Sequence, residues 1–285
     1  LQGASAADLA THAFRELLDR TRIRREEIDE VILGCAGPDA REANIARVAA
    51  LRAGLPETTP AVTIMRNCAS GMEAVAAAKQ KLAAGEGDVF LVGGTESMSN
   101  FPLMMGPQMV RFFTRLNKAR SLPERLRTVL SFRPSALKPR IAILEGLTDS
   151  TTGLMMGNTA ELVAQRFGID RAQMDAYALQ SHQRAAAAMR SNRFNREVAP
   201  IIAPPKFHSA VQLDDGIRME QSIAALEKLR PVFDRHEGDV TVGNSCQVTD
   251  GATALLVTSL SKAKQLGLEP LAIIRSTATA ALSPK

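Results

Sequence analysis

The residue in this chain best suited to covalent chemistry lies in Asn67-Cys68-Ala69-Ser70-Gly71-Met72-Glu73. Ala61 to Met65 reads as a short buried strand and Ser70 to Ala84 as a helix, so Cys68 falls at a strand-to-helix turn. Unpaired N–H groups and the helix dipole favour a thiolate at such a place, which makes the thiol a candidate nucleophile near neutral pH. A cysteine at such a junction also reads as a small core residue, and the turn alone does not choose between the two. Cys35 and Cys246 lie far away along the chain. Three cysteines without metal-ligand spacing point to reduced thiols in a cytosolic-type compartment. His12, His182, His208 and His236 form no metal motif, so no metal is expected.

The elements around Cys68 must hold it in place. Ser5 can cap a helix whose apolar positions Leu9, Ala13, Phe14, Leu17 and Leu18 follow helical spacing. Glu30 to Cys35 reads as a strand, and Asn44 to Ala53 as a helix closed by Gly54 and Pro56. A turn at Gly85-Glu86-Gly87 precedes a strand at 88–92. This alternation predicts an α/β sheet with parallel strands and helical covers. The pattern breaks at Asn100. Helices at Thr159 to Phe167 and Asp170 to Met189, basic stretches and prolines fill residues 101–234, with a polar loop at Val211 to Gly216. Strands are expected again at Asp239 to Val242, Ala252 to Ser259 and Leu271 to Thr277, with a helix at Ser261 to Leu266.

At 285 residues the chain fits one large domain or two smaller ones. No apolar run reaches the roughly 18 residues of a membrane span. No signal peptide is visible at Leu1-Gln2-Gly3, and the absence of an initiator Met suggests a start inside a longer protein. The formal charge of +5 is uneven. Residues 110–140 hold nine basic side chains and one acid, Glu124, so the high pI belongs to that segment. One Tyr and no Trp leave little for stacking on bases, which argues against a nucleic-acid binder.

Seven motifs together carry a family resemblance. They are Asn44-Ile45-Ala46-Arg47, Asn67-Cys68-Ala69-Ser70-Gly71, Gly93-Gly94-Thr95-Glu96-Ser97-Met98-Ser99, Met156-Gly157-Asn158-Thr159-Ala160-Glu161, Ser181-His182-Gln183-Arg184-Ala185, Lys228-Leu229-Arg230-Pro231-Val232-Phe233, and Gly243-Asn244-Ser245-Cys246 followed by Thr249-Asp250-Gly251-Ala252. In this order the chain resembles a thiolase, the family that makes and breaks 3-ketoacyl-CoA. The span 110–145, with Leu116-Asn117-Lys118-Ala119-Arg120, most resembles the β-chains of fatty-acid-oxidation multienzyme complexes.

The resemblance implies an α/β fold: a thiolase-like N-terminal domain over 1–101 and 235–285, with a parallel-rich sheet covered by helices. A mainly helical loop domain over 102–234 interrupts it. It implies that Cys68 attacks the 3-keto carbon, that acetyl-CoA leaves, and that CoA then takes the acyl group from the enzyme. Cys68's own N–H is a candidate oxyanion donor. Arg218 matches a family arginine near the CoA adenine, Cys246 matches a serine that contacts pantetheine in relatives, and Ser245 beside it is a further CoA-binding candidate. Met155 stands where some short-chain thiolases have histidine, and Ala225 replaces a serine. Met105, Met155 and Met156 suit an adaptable acyl tunnel, though methionine equally serves as core filling. CoA and acyl-CoA would be substrates, with no tightly held cofactor. A homodimer or dimer of dimers and a cytoplasmic location are implied as well.

The family's Arg-Thr-Pro first strand and its C-terminal half are expected to be missing from this chain. The absent parts include the Asn-Glu-Ala-Phe motif, the Gly-His-Pro base and the second acid/base cysteine, so the 285 residues alone are expected not to turn over. Ser181-His182 lies mid-helix, where a packed or capping histidine is the plainer reading. Two other functions compete: a condensing synthase of the same fold, and a non-catalytic CoA-binding or complex-scaffolding chain. For 110–140, the apolar spacing predicts one or two short amphipathic helices. That segment reads as a solvated basic face, a docking surface for a hydratase/dehydrogenase α-chain, or a peripheral contact with an anionic membrane.

Overall fold

The computed structural model describes residues 1–203, 207 and 209–284; His208 lies outside the described residues. They fall into two compact units. The first comprises residues 1–100 and 169–283, and the second residues 101–168 with Pro284.

The first unit opens with α1 (Ala6–Thr21), β1 (Glu30–Gly34), α2 (Ile45–Arg52), β2 (Ala61–Ile64), α3 (Ser70–Ala84) and β3 (Val89–Ser97). The second contains β4 (Leu103–Met104), α4 (Pro107–Lys118), α5 (Leu122–Leu130), β5 (Arg140–Ile141), α6 (Ala142–Gly146) and α7 (Met156–Phe167). The first then resumes with α8 (Arg171–Arg190), β6 (Ile201–Ile202), β7 (Ala210–Val211), α9 (Ile223–Glu227), β8 (Asp250–Thr258) and α10 (Leu260–Gln265). Local chemistry sets the helix starts. Ser5 and Asp8 form a capping box on α1, and Asn44 caps α2 while also donating to the Ala61 carbonyl of β2.

The main sheet runs β2-β1-β3-β8. β1 is parallel to β2 and β3, while β8 is antiparallel to β3. The apolar runs of β1 and β3 are buried on both faces, as internal parallel strands require. Side chains alternate. Val31, Leu33, Val89 and Leu91 join Phe14 and Leu18 of α1 and Ala46 and Ala49 of α2. Ile32, Phe90 and Val92 meet Ala74 and Ala78 of α3 on the other face.

β3 outruns its expected end at residue 92 by five residues, straight through Gly93 and Gly94. These glycines permit close packing. A Cβ on Gly93 would stand 2.0 Å from the Thr253 carbonyl oxygen, and one on Gly94 3.3 Å from the Gly71 Cα. Gly34, at the end of β1, is enclosed by the backbone of α3. A Cβ there would lie 2.3 Å from the Ser70 carbonyl carbon and 2.5 Å from the Gly71 nitrogen.

Two expected strands do not form. Residues 239–242 are irregular because a side chain satisfies their backbone. Asn244 accepts from the Thr241 N–H at 2.7 Å and donates to the Asp239 carbonyl at 3.0 Å. Residues 271–277 pair with no strand among the described residues, and Leu271 is fully exposed. Alternation supplies a face, but a strand also needs a neighbour for its N–H and C=O groups.

Replacing Gly34 by Ala should lower the unfolding free energy by roughly 1–3 kcal/mol, because the methyl meets backbone that cannot swing aside. Urea unfolding measures it. An unchanged midpoint would show that α3 is free to shift off the sheet.

Candidate active site

Cys68 sits where the sequence puts it, between β2 and α3, and its side chain is exposed. The turn is built to a tight specification. Asn67, the residue before it, has φ +44°, a left-handed conformation that costs a side-chain-bearing residue free energy and persists only when its surroundings enforce it. The enforcement is visible. The Ser70 hydroxyl donates to the Asn67 carbonyl at 2.6 Å and accepts from the Arg66 N–H at 2.8 Å. The Ser70 N–H donates to the same Asn67 carbonyl at 3.1 Å, and Arg66 pairs with Glu73 at 3.0 Å. α3 starts at Ser70 behind Ala69, and no side chain caps it; the Ala69 and Ser70 N–H groups go to the Arg66 and Asn67 carbonyls, which leaves the Gly71 and Met72 N–H groups of the first turn to favour an anion there.

Cys35 has the opposite surroundings. It is 2% exposed, and its thiol faces Glu96, whose carboxylate accepts the Ala36 and Gly37 N–H groups at 2.9 and 3.1 Å. Burial, with the Glu96 charge adding to it, pushes the Cys35 thiol up to about 12. Glu96 thus anchors the loop after β1, a structural duty for a residue of the Gly93–Ser99 motif. Its neighbours have similar duties. Thr95 and Ser97 donate to the Ala6 and Ala4 carbonyls, and the Ser99 N–H bonds Asp250. Asn44-Ile45-Ala46-Arg47 likewise binds α2 to the turn before β2, with Arg47 on the Glu57 and Thr59 carbonyls at 2.8 Å.

A cleft of about 850 Å³ gathers the second group of expected site residues. Ser245 and Cys246 line it together with His182 of α8, Ile217, and the acids Asp214 and Asp215. The Ser245 hydroxyl gives its proton to the Thr241 carbonyl at 2.6 Å, which leaves its lone pairs to accept. Arg218 follows Ile217 directly and is exposed. Its backbone N–H donates to His182 Nδ1 at 3.2 Å, so His182 holds a neighbouring loop, a form of the capping role. Cys68 lines neither this cleft nor the smaller one beside α1. Met155 and Met156 belong to the second unit. Met155 is half-buried with its N–H on Asn158 Oδ1 at 3.3 Å; Met156 opens α7 and is exposed, as is Met105.

The residue that sequence reading passed over is Asp175. It is 1% exposed, pairs with Arg171 at 2.7 Å and accepts from Asn244 Nδ2 at 3.0 Å. Arg171 also donates to the Leu226 and Leu229 carbonyls. An Arg and an Asp four apart on a helix were the available signal. The buried partner in a distant loop was not.

Iodoacetamide near neutral pH should label Cys68 first, Cys246 next and Cys35 last, as read by peptide mass spectrometry. Labelling of Cys35 as fast as Cys68 in the folded protein would contradict this assignment. Cys35 also sets a sign for alkaline pH. Its folded value lies above the ordinary 9.0, so its contribution to stability is present below 9.0 and is lost as pH rises toward about 12. A Cys35→Ala variant should lack that part of the alkaline decline in urea midpoint.

The arrangement matches known proteins over most of its length. The family model for the thiolase N-terminal domain matches residues 1–261. A 3-ketoacyl-CoA thiolase of Yersinia pestis (strain Pestoides F) is 39% identical over 280 residues, which cover 98% of this chain and 63% of that relative. An acetyl-CoA acetyltransferase of Bacillus anthracis has a similar structure, with a TM-score of 0.81 at 32% identity over 95% of this chain and 64% of that one. The human mitochondrial 3-ketoacyl-CoA thiolase solved with CoA gives a TM-score of 0.80 at 33% identity, covering 95% of this chain and 63% of that one. The chain therefore spans less than two thirds of the length of these relatives. By fold, motif order and family match, the chain belongs to the thiolase N-terminal domain family.

Proposed function

We propose that this chain carries the nucleophile and part of the CoA-binding surface of a thiolase-type acyltransferase. The observation that carries the reading is Cys68: an exposed thiol on an enforced turn beside uncapped N–H groups. The named relatives are 3-ketoacyl-CoA thiolases, and the human one was solved with CoA. In this reading the Cys68 thiolate adds to the 3-keto carbon of a ketoacyl-CoA, and the C2–C3 bond breaks. Its electron pair leaves on the acetyl-CoA fragment, which is protonated and departs. The shortened acyl group stays on sulfur as a thioester. The thiolate of a second CoA displaces it and regenerates the Cys68 thiolate. The reverse order is a Claisen condensation.

CoA chemistry divides over the cleft. Asp214 and Asp215 would repel phosphates, whereas the pantetheine arm is neutral and can donate an amide N–H to the Ser245 oxygen. The Cys246 thiol can meet the same arm. The Arg218 guanidinium, exposed just beyond, would take the nucleotide end by stacking or charge. Met155 and Met156 would contact the acyl-CoA. A homodimer or dimer of dimers, a cytoplasmic location, and the division into 1–101 with 235–285 and a loop domain 102–234 belong to the same proposal.

Acyl transfer predicts a covalent trace. Full-length protein given acetyl-CoA should carry an acetyl group on the Cys68 peptide, and Cys68→Ser should lower thiolysis by roughly 10³-fold or more while keeping the fold. Turnover retained in Cys68→Ser would refute the role. Binding of CoA without acylation would instead favour a scaffolding chain.

The second unit supports a further reading of residues 110–140. No described helix is long and apolar enough to cross a membrane. α4 and α5 are short and separate, with Pro123 inside the first turn of α5 and a Ser121–Glu124 capping box before it. Hydrogen bonds from the Arg120 and Ser121 N–H groups hold the Glu124 carboxyl below its usual range. Phe112 packs edge-on to Phe113 and Phe132, yet α5 buries no residue. Leu122, Leu126 and Leu130 are 81%, 61% and 76% exposed, beside exposed Arg125 and Arg127. We propose peripheral contact with an anionic membrane, where each basic residue near the surface adds about 1 kcal/mol. Co-sedimentation with liposomes should require anionic lipid, fall with added salt and drop when Arg111, Arg115, Lys118 and Arg125 become Glu. Indifference to anionic liposomes at low salt would end this reading. Docking of a hydratase/dehydrogenase α-chain would then need its own pull-down with the same charge-reversed variant, and a negative result there would leave a solvated basic face.

A further inference from the structure

α8 does more than cover the cleft. Asp175 and His182 are seven residues apart, two turns, and so share one face of the helix. Each fastens a different loop. Asp175 takes the Asn244 side-chain amide at 3.0 Å and so holds the loop that carries Ser245 and Cys246. His182 takes the Arg218 backbone N–H at 3.2 Å and so holds the loop that carries the guanidinium. Gln247 then ties the two loops together by donating to the Gly216 carbonyl at 2.9 Å. Arg190, at the end of the same helix, pairs with Glu220 at 3.1 Å just past Arg218.

The two fastenings differ in kind. Asp175 is a buried carboxylate with an arginine partner, so its removal would leave an unpaired buried charge and disturb the fold. His182 is half-buried and lines the cleft. Its contact with the 215–221 loop is a single neutral hydrogen bond, which needs an unprotonated Nδ1 and hence the tautomer with its proton on Nε2. Losing it would loosen the backbone at Arg218, which Gln247 at Gly216 and Arg190 at Glu220 hold only from either side, while sparing α8, whose start is set by the Asp170–Gln173 capping box twelve residues earlier. An arginine on a loosened backbone must be ordered again at each binding event, which weakens the complex without altering the reacting atoms.

We propose that His182 is a positioning residue for CoA, acting through Arg218. Its Nδ1 fixes the backbone of Arg218 so that the guanidinium is presented to the nucleotide before CoA arrives. This rests on the reading of Arg218 as a CoA contact.

The test uses the full-length protein with His182→Ala, His182→Asn, Arg218→Ala and the His182→Ala/Arg218→Ala double variant. Alanine is the best helix former, so α8 is retained. Asparagine offers its Oδ1 near the position of Nδ1. The measurements are the calorimetric Kd for CoA, and KM for CoA against kcat in thiolysis. His182→Ala should raise Kd and KM by roughly three- to tenfold, the scale of one neutral hydrogen bond, with kcat unchanged. His182→Asn should recover most of that loss. The double variant should bind no worse than Arg218→Ala, because His182 has nothing left to position. A merely structural histidine would give no rescue by Asn, a falling kcat, or additive losses, and any of these overturns the proposal. If Arg218→Ala weakens CoA while His182→Ala does not, positioning fails and the CoA reading of Arg218 stands. If Arg218→Ala leaves CoA binding unchanged, that reading fails and takes the proposal with it.

Discussion

The backbone-on-backbone approach of α3 to the sheet is the constraint on which the first unit depends. Gly34 at the end of β1 lies under Ser70 and Gly71, and Gly94 of β3 faces the Gly71 Cα. Three glycines from three elements let the first turn of α3 rest on the strand ends with no side chain between. That contact fixes where the uncapped N-terminus of α3 lies, and therefore where Cys68 is held. A bulkier seat would lift the helix and move the turn. The left-handed Asn67 and the Ser70 hydroxyl convert this seat into one defined thiol position.

The remaining polar interactions of the unit serve the same end at other joints. Glu96 holds the loop after β1, and Thr95, Ser97 and Asn100 hold the start of α1. Asp175 and His182 hold the loops of the cleft. These bonds join segments distant in sequence, and most involve a buried or half-buried side chain meeting a backbone group. In such places a backbone polar group left without a partner costs about 1–3 kcal/mol, so the motifs are stabilising joints as much as chemical groups. Cys35 and Cys68 show how far surroundings decide a residue's character. One thiol is enclosed against a carboxylate and raised to about 12; the other is open beside a helix start that no side chain caps.

What could be read from the sequence follows from locality. Helix caps at Ser5, Asn44 and Asp170, the apolar runs of β1 and β3, and the break between β2 and α3 all depend on neighbours within a few residues. The errors share one cause as well. Residues 239–242 and 271–277 have strand composition, but the first gives its hydrogen bonds to Asn244 and the second has no strand beside it among the described residues. The extension of β3 through Gly93 and Gly94 was hidden for the opposite reason. Glycine usually weakens a strand, and here β8 crosses too closely for anything larger.

The sequence by itself therefore determined the α/β class, the order of the elements from α1 to β3, the position of Cys68 on a strand-to-helix turn, and the basic amphipathic character of 110–140. Those properties are carried by spacing, capping and composition, which act over one or two helical turns. Only the tertiary structure decided that Cys35 is sealed against Glu96, that Asp175 is the buried anchor of the Ser245–Cys246 loop, and that His182 meets Arg218 across 36 residues. Burial and hydrogen-bond partnership depend on which distant segments are brought together, and no local pattern states that.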